Sequence, residues 1–137
     1  MFDSLSATAH ATLPVNRSRA ALVALWSVQI LLAGMFLFSG GLKLAGADAM
    51  VALFDAIGIG QWFRYLTGVI EVISAIALLV PSLSAFGAVA LVATMAGAVA
   101  THLFIVGGSP AIPLVLLAAS LGVAWARRDQ LARALTF

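Results

Sequence analysis

The chain contains no cysteine and few charged residues, and both shortages restrict what it does. Without cysteine it forms no disulfide, no thiolate metal site, no iron–sulfur ligand set and no cysteine relay for reducing quinones. Charged residues make up 9% of the chain, against about 25% in an ordinary soluble domain. Hydrophobic residues make up 64%. These proportions exclude an ordinary soluble globular protein.

The charge balance is nearly even. Lys and Arg together number 7 and Asp and Glu number 5, so the formal net charge is only +2. Nucleic-acid binding relies on a clustered basic surface, and we expect no nucleic-acid partner. Four membrane spans of about 20 residues each would occupy roughly 80 residues of the chain. Too little sequence then remains for a separate soluble catalytic domain.

Four long apolar runs divide the sequence. They cover residues 20–44, 62–80, 84–106 and 110–126. The first run is longer than the apolar region of a signal peptide and has no A-x-A-like cleavage site after it, so we expect it to stay uncleaved. The sequence thus predicts an all-α, polytopic membrane protein. Its parts are a flexible N-terminal tail over 1–19, a four-helix transmembrane bundle over 20–126, and a basic tail over 127–137.

The distribution of cations predicts the orientation of this bundle. The predicted tails and the span ends next to them carry five arginines: Arg17, Arg19, Arg127, Arg128 and Arg133. Lys43 and Arg64 lie on the opposite side. An even number of spans places both tails on one side of the membrane, and the positive-inside rule makes that side cytoplasmic. We therefore expect both termini in the cytoplasm.

A short helix is predicted in the connection between the first two spans. Asp48 suits its N-cap position, and Gly58 suits its C-terminal end. Between them, apolar residues recur at helical spacing on one side. These are Met50, Leu53, Phe54 and Ile57. The pattern is typical of a helix that lies in the membrane interface.

The first span has one polar face. Gln29 and Lys43 lie fourteen residues apart at a multiple of the seven-residue repeat, with Ser39 and Gly40 between them. Charged groups inside a membrane cost roughly 2.5–3.5 kcal/mol each on insertion scales, so they usually face the interior of a bundle. We expect this face to point inward and to end at Lys43.

The second and third spans add further polar residues. Arg64, Thr67 and Glu71 share one side of the second span by helical spacing. His102 lies about 10 Å beyond the midpoint of the third span, on the side of Lys43 and Arg64. These residues are therefore expected to converge in the outer half of the bundle.

Two interpretations of the acidic residue remain open. Glu71 paired with Lys43 or Arg64 would stay ionised and hold two helices together. Glu71 without such a cation, next to a neutral His102, would exchange protons with a lipophilic substrate. His102 also suits a hydrogen-bonded position in the helix bundle. One intramembrane histidine is insufficient for bis-histidine haem within a single chain, and Glu71 with His102 is too small a ligand set for a metal site.

These residues resemble the motifs of the DoxX-like family. The similar stretches are Phe36 to Leu44, Phe54 with Gly58, Gly68 to Glu71, Met95 to Ala98, and Thr101-His102. The resemblance extends from about residue 31 to residue 128 and implies a small bacterial four-helix membrane protein. Some members are named as quinone-linked subunits of a thiosulfate oxidoreductase. Others are named as membrane anchors beside oxidative-stress enzymes, and related eukaryotic proteins act as chaperones for receptors or cargo.

Three functions are compatible with these features. The first hypothesis is a membrane subunit that binds a quinone or similar lipophilic ligand for a redox partner, with Glu71 and His102 handling protons. Its pocket is predicted to be lined by Lys43, Arg64, Ser39, Gly40 and Thr67. The second is a non-enzymatic anchor, chaperone or assembly factor for a partner membrane protein. We expect the chain to bind either such a protein partner or further copies of itself. The third is a dimeric proton-coupled exporter.

Overall fold

The computed structural model describes residues 18–136. In that range the chain forms α-helices, one π-helical turn and no strand. The α-helices are α1 (Arg19–Ala45), α2 (Asp48–Ile57), α3 (Trp62–Leu79), α4 (Ser84–Thr101), α5 (Ala111–Ala126) and α6 (Arg128–Leu135). The π-helical turn spans His102–Val106 and continues α4. The N-terminal tail expected over 1–19 lies almost entirely outside the described residues.

Helix α1 has well-defined ends. The Ser18 side chain accepts a hydrogen bond of 3.1 Å from the Ala21 amide, as an N-cap residue does. At the other end, Gly46 adopts the left-handed conformation with φ of 73°, and its N–H points to the carbonyls of Leu42 and Lys43. The 27 residues between these caps rise about 1.5 Å each. Helix α1 is therefore longer than the thickness of the hydrocarbon core of a bilayer, which is about 30 Å.

Helix α2 is present as predicted, but its first cap is different. Ala47, and not Asp48, occupies the N-cap position, and it has no side chain able to accept the capping bond. Asp48 is instead the first helical residue, where the positive end of the helix dipole stabilises its carboxylate. Phe54 is buried and meets the Phe63 ring edge-on at 5.7 Å. Gly58 ends the helix with φ of 87°.

The four long helices form a ring in the order α1, α3, α4, α5. Helix α3 packs against α1 on one side and α4 on the other, and α5 packs mainly on α4. The contact between α5 and α1, which closes the ring, is much less extensive. The buried core between these helices is apolar and includes Leu32, Phe36, Leu78, Leu91, Met95 and Val123.

Three segments of the described chain are long and apolar enough to cross a membrane. They are α1, α3, and α4 together with the π-helical turn. Helix α5 meets the same test only jointly with α6, from which it is bent by 57°. The basic segment predicted as a tail therefore contains a helix over most of its length.

The outer surface of the bundle is strongly apolar. Large side chains such as Phe38, Ile73 and Phe104 are 62–83% exposed. A monomeric soluble protein rarely exposes apolar patches on this scale. The chain is a membrane protein, and its membrane-spanning helices contact the lipid bilayer.

Candidate functional site

A buried ion pair joins the first two long helices. Lys43 Nζ on α1 lies 3.0 Å from Glu71 Oε1 and 3.2 Å from Glu71 Oε2 on α3. Its third partner is Ser39 Oγ, 2.8 Å away and one turn earlier on α1. Glu71 is 2% exposed, so the carboxylate is removed from the surroundings of the bundle. Of the two interpretations left open by the sequence, the structure contains the ion-paired one.

Two glycines bring the helix backbones close enough for this pair to form. A Cβ atom placed on Gly40 would lie 2.8 Å from Val72 Cγ2 and 2.9 Å from the Gly68 carbonyl oxygen. A Cβ atom on Gly68 would lie 3.1 Å from Lys43 Cβ and from Leu44. Small residues allow transmembrane helices to approach closely. Gly40 thus acts in helix packing, directly beside the ion pair.

Arg64 bonds to the C-terminal end of α1, and Lys43 is the cation that pairs with Glu71. Its Nη1 donates a hydrogen bond to the Lys43 carbonyl oxygen, and its Nε donates to Gln61 Oε1 at 2.6 Å. The guanidinium also lies 4.2 Å from the centre of the Tyr65 ring. A cation is favourable at the C-terminus of a helix, where carbonyl groups lack partners. The residue is 5% exposed and connects α3 to the cap of α1.

Among the described residues, the Thr67 hydroxyl forms hydrogen bonds only within its own helix. Its hydroxyl bonds to the carbonyl oxygens of Phe63 and Arg64, at 3.0 and 3.1 Å, within its own helix. Threonine in transmembrane helices commonly satisfies its hydroxyl in this way. The predicted grouping on one side of α3 is therefore present, but Thr67 does not bond to the Lys43–Glu71 pair.

His102 lies at the point where α4 changes its hydrogen-bonding pattern. The preceding 18 residues are α-helical, and His102 opens the five-residue π-helical turn. Its Nδ1 is 2.9 Å from the Ala98 carbonyl oxygen. Since a carbonyl oxygen only accepts hydrogen bonds, Nδ1 carries the hydrogen, and Nε2 of the neutral ring is an acceptor. Among the described residues, no hydrogen bond or ion pair joins His102 to Glu71.

A second polar cluster, in the N-terminal half of α1, was only partly foreseen. Gln29 is fully buried, as expected for the polar face, and its Nε2 donates to the Leu78 carbonyl at 2.7 Å and to Ser84 Oγ at 3.1 Å. Its Oε1 accepts from Arg127 Nε and Nη2 at 3.1 and 2.9 Å. The sequence marked Arg127 only as a tail cation. The available signal was its position immediately after the last apolar run.

The site is thus a polar centre whose charges are satisfied within the chain. Every buried side-chain nitrogen and oxygen in the described residues has a hydrogen-bond partner. That part of the chain contains no group of three or more His, Cys, Asp or Glu residues able to hold a metal ion. Chemically, the Lys43–Glu71 pair connects two helices, and His102 offers one nitrogen acceptor at a break in helical regularity.

Comparison with known proteins identifies the family. The DoxX-like family matches residues 27–124, which include both polar clusters except Arg127. No curated protein and no solved structure is significantly similar to the chain. The matched segment covers α1 to α5 almost completely and contains Lys43, Glu71 and His102. The chain belongs to the DoxX-like family.

Proposed function

We propose that the protein crosses the bacterial inner membrane four times, with both termini in the cytoplasm. The 16 residues of α5 extend about 24 Å, slightly less than the hydrocarbon core of about 30 Å. Helix α6 would then turn into the interface. Arg19, Arg128 and Arg133 would lie on the cytoplasmic side, in accord with the positive-inside rule.

Single cysteines test this topology without interference, because the chain has none of its own. Ala52 on α2 and Thr136 after α6 are both exposed. In spheroplasts, a membrane-impermeant maleimide should label Ala52→Cys at once and Thr136→Cys only after permeabilisation. Labelling of both variants on the same side would require an even number of spans between them. The reverse pattern would place the termini outside.

We further propose that the chain is a non-catalytic subunit that assembles with a partner membrane protein. The closed Lys43–Glu71 pair carries this proposal, because both charges serve contacts between helices of the same chain. An acid that handles protons for a substrate needs access to it, whereas Glu71 is 2% exposed. The polar centre then maintains the shape of the bundle, and its outer surface binds the partner.

The exposed face of α4 is the surface that suits close helix contact. Ala93, Ala96, Gly97 and Ala100 are all exposed there. A Cβ atom at Gly97 would meet nothing within 4 Å. A larger side chain at this position therefore changes the surface while leaving the fold unstrained. In membranes, small residues of this kind allow a second helix to pack closely.

Recovery of partner chains in a mild detergent tests the assembly role. The charge-free variant, Lys43→Met with Glu71→Leu, replaces the ion pair by apolar side chains of similar size, which is often neutral for stability. It should recover the same stoichiometric partner as the wild type, whereas Gly97→Leu should lose it. Normal recovery by Gly97→Leu together with loss in the folded charge-free variant would contradict the proposal.

A second candidate function is favoured by the π-helical turn. Such turns frequently occur at functional sites, and α2 packs against this one. His102 is half-buried there, with Nε2 as an acceptor. A quinol hydroxyl is a donor of matching polarity, so a quinol with its head group at His102 fits the family resemblance. Electrons would then pass to a redox partner.

Mass spectrometry of the gently purified protein distinguishes this candidate from the first. A quinone that is present in the wild type and in the charge-free variant, but absent from His102→Leu, would establish a ligand site at the turn. A quinone lost in the charge-free variant and retained in His102→Leu would place the site at the ion pair instead. Absence of quinone from the wild type, with a stoichiometric protein partner, would favour the assembly role.

A further inference from the structure

An apolar groove lies on the side of the bundle where α1 and α5 meet sparsely. Its volume is about 350 Å³, near the lower limit of ligand pockets. Its walls are formed by Ala24, Leu25, Val28, Ala119, Gly122 and Val123. Three of these six residues are alanine or glycine, so the helices leave a space that their own side chains do not fill.

The dimensions of the groove suit a lipid chain. Its lining spans one helical turn, from Ala24 to Val28 on α1, which is about 6 Å along the helix axis. A whole helix with its side chains is 10–12 Å wide and packs along several turns. The groove is therefore too short for a transmembrane helix, whereas part of one acyl chain fits it.

Positive charge lies one helical turn beyond the groove residue Val123, whose carbonyl oxygen accepts a hydrogen bond of 2.9 Å from the backbone N–H of Arg127. Arg127 donates to Gln29, the neighbour of the groove residue Val28, and its guanidinium lies 5.1 Å from the Trp26 ring. Arg128 follows directly, and its guanidinium lies 4.4 Å from the Trp125 ring. Between residues 127 and 133 there are three arginines and one aspartate, a net charge of +2. Tryptophan and arginine together are typical of the lipid head-group region.

We propose that this groove is a binding site for an anionic phospholipid. One acyl chain occupies the space between α1 and α5, and the phosphate lies near the exposed side chain of Arg128. Basic residues at a membrane surface attract anionic lipids, and the apolar groove provides the site for the chain. This proposal is independent of the partner and quinone proposals, because the groove is formed by α1 and α5, whereas those proposals concern α4 and the π-helical turn.

Native mass spectrometry with two lipids that share the same acyl chains tests this site. Palmitoyl-oleoyl phosphatidylglycerol and phosphatidylcholine differ only in the head group, and each is titrated into the full-length protein in detergent. The wild type should retain one phosphatidylglycerol in preference to phosphatidylcholine. Arg128→Gln should reduce this preference about fivefold, the effect of one arginine near a membrane surface.

A pair of glycine variants tests whether the acyl chain occupies the groove. Gly122→Leu fills it, and a Cβ atom at Gly122 meets nothing within 4 Å, so the variant should fold. It should lose retention of both lipids. Gly34→Leu is the matched control, since Gly34 is equally open but lies outside the groove. Its retention should equal that of the wild type.

Three results would overturn the proposal. Equal retention of the two lipids by the wild type would remove the role of the head group. Equal retention by Gly122→Leu and Gly34→Leu would remove the groove. A wild-type dimer that Gly122→Leu converts to a monomer would show that a second copy of the chain covers this surface.

Discussion

At the scale of single residues, the energetics of the Lys43–Glu71 pair depend on both partners. Moving a charge out of water is costly, and the attraction between the two charges offsets this cost only while both are present. Ser39 adds a third contact to the ammonium group. The pair therefore holds α1 against α3 chiefly because any arrangement that separates the two buried charges has a much higher free energy.

Removal of one charge should accordingly be worse than removal of both. We expect Glu71→Gln to lower the free energy of unfolding by about 3 kcal/mol, because it leaves a buried ammonium group without its counter-charge. The charge-free variant should stay within about 1 kcal/mol of the wild type. Reversible unfolding in mixed micelles, followed by circular dichroism, measures both values. Equal losses in the two variants would show that the pair adds stability by attraction alone.

At the scale of helices, the close contact between α1 and α3 is a second requirement. Gly40→Ala should destabilise the protein by about 1–3 kcal/mol, the usual cost of overpacking, because its Cβ would lie 2.8 Å from Val72 Cγ2. Gly41→Ala is a matched control, since a Cβ atom at Gly41 meets nothing within 4 Å. It should be neutral or stabilising by up to about 1 kcal/mol. The same unfolding assay compares them, and a loss in Gly41→Ala of equal size would indicate a general glycine effect.

The helices themselves were predictable from sequence, whereas the pairing of their polar side chains was not. Apolar runs predicted the four long helices to within a few residues, because membrane spans require continuous apolar sequence. Helical spacing placed Lys43 and Glu71 on inward faces. The choice between Lys43 and Arg64 as the partner of Glu71 depends on how α3 is rotated and shifted against α1. The tight contact at Gly40 and the turn at Gly46 determine how α3 is placed against α1. The periodicity of apolar residues in the sequence indicates neither of them.

Other features escaped prediction for different physical reasons. The π-helical turn at His102 follows from a local change in backbone hydrogen bonding that apolar patterning does not record. Helix α6 is short and polar, so it resembled a basic tail in composition. The role of Arg127 depends on a contact with Gln29, 98 residues away. Contacts at such separation arise only when the complete ring of helices forms.

At the scale of the whole molecule, two polar clusters hold opposite ends of one bundle. Lys43 and Glu71 join α1 to α3 at one end. At the other, Gln29 connects α1 to the Leu78 carbonyl of α3, to Ser84 of α4 and to Arg127 beyond α5. The intervening core is apolar. This arrangement holds the ring of helices together at both ends. It also supports the contact between α1 and α5, the first and last long helices, which is the least extensive contact of the ring.

The two clusters should therefore act independently, while the contacts within each are coupled. In a double-mutant cycle, Gln29→Leu and Arg127→Met should show a coupling energy of about 1.5–3 kcal/mol, typical of a hydrogen bond to a charged group. Gln29→Leu combined with Gly40→Ala should be additive within about 0.5 kcal/mol, since these residues lie roughly 16 Å apart along α1. Unfolding free energies of the singles and doubles provide both numbers. Strong coupling between Gln29 and Gly40 would mean that the ends communicate through α1, so that occupancy of the lipid groove would alter the Lys43–Glu71 end.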